Sequence, residues 1–218
     1  MSRLAIIHTT AVTVQPLKAL AAEVIPGIDV FNIVDDSILP QLAENGGDID
    51  AIEPRWVKYA IIAEKIGADV ILNACSSVGE LTARARTHVR VPVVRIDEPM
   101  AEEAVRRAAR LGIAATLPTT LHPTVRLLKE KAADRDARIS LTPVVVDEAF
   151  RRLSAGDAAG HDAVLAKALT ELVGQVDLVV LAQASMARVV AQLPEGIRER
   201  FLASPPLGMQ RVRAVLGF

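Results

Sequence analysis

The 218-residue chain has a single cysteine, Cys75, and no segment approaching the ~20 consecutive apolar residues of a membrane-spanning helix. One cysteine cannot form an intrachain disulfide, and a chain that is 51% hydrophobic can bury a core without one. The apolar stretch near the N-terminus is too short for the central region of a signal sequence. We therefore expect a cytoplasmic protein with no membrane partner.

An excess of either charge sign is also lacking, because 25 Lys and Arg residues stand against 26 Asp and Glu residues. A net charge of -1 provides no overall field that would attract nucleic acid or an anionic membrane. A small molecule is therefore the expected partner, and assembly into a homo-oligomer is left open.

Histidines are few as well, and they show no metal-ligand spacing. We predict no metal site, and we expect His88, His122 and His161 to lie at the surface or at helix ends. His8 differs from these three because it directly follows an apolar run.

Short runs rich in Val, Ile and Leu alternate with longer amphipathic stretches, which indicates an α/β protein with parallel strands covered by helices. A helix is predicted over residues 53–66, and residues 35–50, with two consecutive glycines, are predicted to form a long loop. The predicted strands are residues 4–7, 29–33, 69–73, 93–96, 112–116, 140–146 and 177–181.

Two parts of the chain resemble each other, since each contains two apolar runs that end in hydroxyl-rich turns. The spacing from Thr10 to Cys75 is nearly the same as that from Thr120 to Gln183. We predict two pseudo-symmetric α/β lobes with mainly parallel sheets, although such patterns are common and chance resemblance is the alternative. The predicted lobes are residues 1–97 plus 206–218, carrying Cys75, and residues 98–205, carrying Gln183.

The hydroxyl-rich turns follow predicted strands, and ligands of open parallel sheets bind at the carboxyl ends of strands. Neutral donors there can hold a carboxylate, so the predicted substrate is a small carboxylic acid. For any single residue the alternative is that its hydroxyl only caps the next helix. The candidate substrate-binding residues are Thr9, Thr10, Asn73, Ser76, Ser77, Thr116, Thr119, Thr120 and Ser185.

Cys75 lies just after a predicted strand, and a helix starting near Val78 would lower the pKa of its thiol. That position suits a general base. Free cysteine also packs as a small buried hydrophobic residue, which is the competing interpretation. The polar neighbours Asn73, Ser76 and Ser77 favour a functional thiol.

Three motifs resemble those of the Asp/Glu/hydantoin racemase superfamily. Residues 73–77, Asn-Ala-Cys-Ser-Ser, are similar to its active-site turn Cys-Asn-Thr or Cys-Thr-Ser. Residues 112–119 resemble its Gly-x-x-Ala-Thr-x-x-Thr signature, and residues 181–186 resemble Leu-Gly-Cys-Ala-Gly-Met. The resemblance implies two Rossmann-like lobes with an active-site cleft between them, and paired cysteines that move a proton beside a carboxylate. It also implies that no metal, flavin or pyridoxal phosphate is used.

Two positions depart from this pattern. Gln183 stands where the family has its second cysteine, and an amide cannot exchange protons at useful pH. His8 stands where amino-acid racemases of the family have an Asp; it could supply the missing proton or only orient a loop. We therefore expect a cofactor-independent racemase- or isomerase-like enzyme with Cys75, Gln183 and His8 as catalytic candidates. The alternatives are a cofactor-free decarboxylase of the same superfamily and a non-catalytic small-acid binding protein.

Overall fold

A computed structural model describes residues 2–218. The chain divides into two compact units: unit 1 contains the residues up to Asp97 together with Pro205–Phe218, and unit 2 contains Glu98–Ser204. Each unit has one four-stranded sheet, in which every neighbouring pair of strands is parallel. The predicted α/β class is confirmed. None of the helices within residues 2–218 has the length and apolar character needed to cross a membrane.

The strands of unit 1 are β1 Arg3–His8, β2 Asp29–Val34, β3 Val70–Asn73 and β4 Val93–Arg95. Its helices are α1 Val14–Val24, α2 Ile38–Glu44, α3 Glu53–Lys65, α4 Leu81–Ala85 and α11 Ser204–Val215. The strand order is β2-β1-β3-β4, and the inner strand β1 is buried on both faces. Leu4 and Ile6 pack towards α1 and α11, while Ala5 and Ile7 pack towards α2 to α4, because successive strand residues point to opposite faces.

The strands of unit 2 are β5 Arg110–Ala115, β6 Ser140–Val145, β7 Leu178–Leu181 and β8 Phe201–Ala203. Its helices are α5 Glu98–Arg107, α6 Pro118–Ala133, α7 Asp147–Ser154, α8 Ala158–Val173, α9 Ala187–Val190 and α10 Glu195–Arg198. The strand order, β6-β5-β7-β8, corresponds to that of unit 1. Leu165 and Leu169 of α8 cover one face of the sheet, where Ala114 and Leu181 are buried.

The two sheets repeat each other in register. Leu4 pairs with Val70 between β1 and β3, and Leu111 pairs with Leu178 between β5 and β7. An aspartate directly precedes β3 in unit 1 and β7 in unit 2. Each of these aspartates accepts a hydrogen bond from the backbone amide of the first residue of the neighbouring strand, β1 or β5. Asp69 accepts from the Arg3 amide at 2.8 Å, and Asp177 accepts from the Arg110 amide at 3.2 Å. Cys75 and Gln183 therefore occupy equivalent positions, two residues after β3 and β7.

One sequence prediction is wrong, and one strand was missed. The segment 35–50 contains α2, because Ile38 and Leu42 lie one helical turn apart and both are buried in the core. Strand β8 is only three residues long and was not predicted. His161 was expected at the surface or at a helix end, and it lies in the first turn of α8, where it is 1% exposed.

Candidate active site

The candidate site in unit 1 lies at the carboxyl ends of β1 and β3. These strands are parallel neighbours in which Ile7 pairs with Asn73, so the residues that follow them emerge at the same edge of the sheet. The Ala74 amide donates to the Ile7 carbonyl at 3.0 Å and extends this pairing by one residue. Thr9 and Cys75 are thereby brought together.

Asn73 fixes the shape of the turn that carries Cys75. Its side-chain nitrogen donates to the Val78 carbonyl and to the Thr82 hydroxyl, each at 3.0 Å, and its oxygen accepts from the Cys75 amide at 3.2 Å. Asn73 is fully buried, and these bonds use both amide hydrogens and the oxygen. Asn73 was predicted to bind substrate, but its side chain is committed to the turn.

Cys75 is 9% exposed and packs in the same apolar cluster as Ile7, Trp56 and Val78. Burial raises the pKa of the thiol above its ordinary value, and this outweighs the opposing effects of the Thr9 hydroxyl and of groups on Ser77 and Val78. The expectation of a lowered pKa is wrong. The residues after Cys75 form only a short 3-10 turn, Ser76–Val78, and the next helix begins at Leu81.

Several hydrogen-bond donors nevertheless surround the sulfur. The Thr9 hydroxyl, the backbone amides of Ser77 and Val78, and the Ser77 hydroxyl each favour the thiolate over the thiol. The Ser77 hydroxyl is buried and makes no hydrogen bond of normal geometry with any residue in the described part of the chain. A buried hydroxyl without any partner is costly, so the neighbouring Cys75 sulfur is the group that this hydroxyl can stabilise.

His8, the last residue of β1, is fully buried and holds neighbouring backbone segments together. Its Nδ1 lies 2.8 Å from the Thr13 hydroxyl, and its Nε2 lies 2.9 Å from the Asn32 side-chain oxygen. Burial lowers the pKa of His8, and the Asn32 bond opposes this only in part. Both ring nitrogens are engaged, so the ring presents no free nitrogen to a substrate.

A buried ion pair packs against the end of the turn that carries Cys75. Arg95, at the end of β4, binds Asp97 through two hydrogen bonds of 2.6 and 3.1 Å. The guanidinium lies so close to Gly79 that a Cβ atom there would be 2.3 Å from the Arg95 Nε. Gly79 therefore allows the charged group to pack directly against the end of the turn.

In unit 2 the equivalent turn carries Gln183, and its side chain has a fixed orientation. The Gln183 Oε1 accepts from the Thr116 amide at 2.7 Å and from the Thr116 hydroxyl at 2.9 Å. Thr116 follows β5 as Thr9 follows β1, so each unit has a threonine that contacts the residue at the Cys75 or Gln183 position. Gln183 is partly exposed, and its NH2 group donates no hydrogen bond within residues 2–218, so this group remains available as a donor.

The family profile described as Asp/Glu/Hydantoin racemase matches residues 6–212. This chain belongs to the Asp/Glu/hydantoin racemase family. Membership supports a racemase-like enzyme that acts on a small carboxylate. Comparison with curated protein sequences gives no significant match.

Solved structures of other proteins share the fold across nearly the whole chain. An allantoin racemase from Klebsiella pneumoniae is 19% identical, with a TM-score of 0.68 over 99% of this chain and 88% of that one. A glutamate racemase from Bacillus anthracis is 13% identical, with a TM-score of 0.74 over 99% and 81% of the two chains. A variant of arylmalonate decarboxylase is 16% identical, with a TM-score of 0.58 over 99% and 94%. At these identities the similarity shows the fold alone.

The remaining hydroxyl residues that were predicted to bind substrate differ in their contacts and exposure. Thr10 caps the 3-10 turn Ala11–Thr13, and Thr120 donates to the Leu117 carbonyl at 2.9 Å, so both serve their own turns. Ser185 is exposed, while Ser76 and Thr119 are partly exposed. Within residues 2–218, no cluster of three or more His, Cys, Asp or Glu side chains is arranged to hold a metal ion.

Sequence reasoning missed the residues that support the site. Asn32 and Thr13 carry no motif, and only the folded structure shows that both contact His8. Gly79 did have a signal, because a glycine four residues after a candidate catalytic cysteine suggests a close approach by another group.

Proposed function

We propose that this protein is a cofactor-independent enzyme that transfers a proton at the carbon next to the carboxylate of a small acid. Cys75 is the proton-transferring group. The observation that carries the proposal is the arrangement around its sulfur: a buried thiol and several surrounding donors, among them the buried Ser77 hydroxyl. A cysteine that only filled a core would not need such surroundings.

The reaction follows from the chemistry of these groups. The step begins from the Cys75 thiolate, which forms when the thiol loses its proton to water and is favoured by the donors around the sulfur. When the α C–H bond breaks, its electron pair moves onto the carboxylate, and the proton passes to the thiolate sulfur as an S–H bond forms. Return of a proton from the thiol to the carbon completes the exchange. Preorganised donors supply about 3 to 4 kcal/mol each towards stabilising such developing charge, and the Ser77 hydroxyl is suited to that role.

Gln183 distinguishes this enzyme from a racemase with two thiols. An amide gives hydrogen bonds but neither takes nor releases a proton, and the Gln183 oxygen is already held by Thr116. We therefore assign Gln183 the role of a donor that stabilises negative charge, and we assign the enzyme a single proton-transferring thiol. Because His8 replaces the family's aspartate, a substrate without an amino group is favoured.

A decarboxylase is the second candidate, and the raised pKa of Cys75 favours it. Loss of CO2 breaks the carbon–carbon bond and leaves the electron pair on the α-carbon. A neutral thiol is then the form that can donate a proton, and one acid completes the reaction. Water restores the proton to the thiolate afterwards.

The test uses the single cysteine. Wild-type protein and the Cys75→Ser variant are incubated with small carboxylic acids, including malonates, in heavy water, and deuterium incorporation and CO2 release are followed. We expect Cys75→Ser to lose turnover while its unfolding curve stays close to that of wild type. Full activity in Cys75→Ala would overturn the assignment, and tight binding of an acid without any exchange or CO2 release would indicate a binding protein.

A further inference from the structure

The turns that carry Cys75 and Gln183 are supported in different ways. In unit 1 the support is Asn73, a fully buried amide at the end of β3. The equivalent position at the end of β7 is Leu181, which can form no side-chain hydrogen bond. The Gln183 turn therefore needs a different support.

Asp162, on α8, contacts the segment that follows the Gln183 turn. Its Oδ2 accepts from Arg188 at 2.7 Å and from the Gln192 side chain at 3.2 Å, while its Oδ1 lies 2.7 Å from the Nδ1 of the buried His161. Both carboxylate oxygens are engaged, and only 14% of the Asp162 side chain is exposed. Asp162 therefore links α8 to Arg188 within α9 and to Gln192, which follows α9.

The link reaches Gln183 through a short and continuous path. The 3-10 turn Ala184–Met186 follows Gln183 directly, and α9 begins at the next residue, Ala187. Met186 and Val189 are fully buried in the core cluster that contains Leu165 of α8. The turn is thus held by β7 on one side and, through Arg188, by Asp162 on the other.

We propose that Asp162 is a positioning residue for Gln183. Its ion pair with Arg188 fixes α9 and the preceding turn, so that the Gln183 oxygen stays on Thr116 and its NH2 group keeps one direction. The inference rests on the role of Gln183 as a donor in the proposed function. Asp162 itself does not act on substrate in this account.

The orientation of Gln183 can be measured without a substrate. Protein labelled with 15N-glutamine gives a pair of side-chain NH2 signals for Gln183, which the Gln183→Ala variant identifies by their loss. In Asp162→Ala we expect these signals to move as the Thr116 bonds to the Gln183 oxygen weaken. Arg188→Gln should reproduce the change, and it serves as the second variant because the Arg188 side chain is 47% exposed and tolerates replacement better.

The matched control is Asp147→Ala, which removes an acidic residue of the same unit from an exposed pair with Arg151 on α7. It should leave the Gln183 signals unchanged. Unchanged Gln183 signals in a folded Asp162→Ala or Arg188→Gln protein would overturn the proposal, as would an equal change in Asp147→Ala.

Kinetics separates this proposal from the proposed function. With an active substrate, Asp162→Ala should lower kcat by up to about 100-fold with a smaller change in KM, since misplacement of a group costs rate more than binding. The double variant Asp162→Ala/Gln183→Ala should have the same kcat as Gln183→Ala alone. If Gln183→Ala were fully active, the donor role would fail, while the NMR result would still decide whether Asp162 holds the turn.

Discussion

The Cys75 and Gln183 turns have the same backbone plan but different internal chemistry. The Cys75 turn is braced from within by Asn73 and packs its Gly79 against a buried guanidinium. In the Gln183 turn the equivalent residues are Leu181 and Ala187, and the partly exposed ion pair between Asp162 of α8 and Arg188 of α9 is the proposed support. One scaffold can therefore present a buried thiol in one unit and an amide of fixed orientation in the other.

The largest loss of stability is expected when Asn73 is replaced by leucine, the residue type at the equivalent position 181 of unit 2. Asn73→Leu leaves the Cys75 amide, the Val78 carbonyl and the Thr82 hydroxyl without their partner, which should cost about 2 to 4 kcal/mol in the free energy of unfolding. Urea unfolding measures the loss. Alkylation of Cys75 by iodoacetamide should also quicken, because the turn loosens.

The reverse exchange is the control for this comparison. Leu181→Asn places an amide in a buried apolar position and should also destabilise the protein, but without changing the alkylation rate of Cys75. Wild-type stability and wild-type alkylation in Asn73→Leu would show that Asn73 does not support the turn.

Gly79→Ala should have an intermediate effect. The new Cβ would lie 2.3 Å from the Arg95 Nε, and the guanidinium cannot retreat freely because Asp97 holds it. We expect a loss of about 1 to 3 kcal/mol in the free energy of unfolding. Gly196→Ala is the matched control, since nothing lies within 4 Å of its added Cβ, and it should be neutral or slightly stabilising. Equal stability of the two variants would contradict the close packing of Arg95.

The smallest effect concerns pH and His8. The pKa of His8 is lowered from its ordinary value of 6.5, so below that value the unfolded chain binds a proton that the folded protein does not. Stability that is fully present above pH 6.5 is therefore lost as pH falls towards the folded pKa. His8→Gln should weaken this dependence in urea unfolding between pH 7.5 and pH 5, whereas His122→Gln, at an exposed position on α6, should not. An unchanged slope in His8→Gln would contradict the buried neutral imidazole.

Sequence patterns predicted the strands of both sheets well, because parallel strands buried on both faces produce distinct apolar runs such as residues 177–181. The equivalence of Cys75 and Gln183 followed from these runs and the turns after them. Strand β8 could not be predicted, since three residues carry too little periodicity. The raised pKa of Cys75 could not be predicted either, because it depends on distant residues such as Trp56 that bury the thiol only in the folded protein.

The central claim is that one thiol transfers the proton and that Gln183 only donates hydrogen bonds. The most direct measurement incubates wild-type protein and the Gln183→Cys variant with aspartate, glutamate and 5-substituted hydantoins in heavy water, and follows α-deuterium exchange and optical rotation, with Cys75→Ser as background. The account predicts no racemisation by the wild-type protein and the appearance of racemisation in Gln183→Cys. Rapid racemisation of any of these compounds by the wild-type protein would contradict it, because another group would then replace the second thiol.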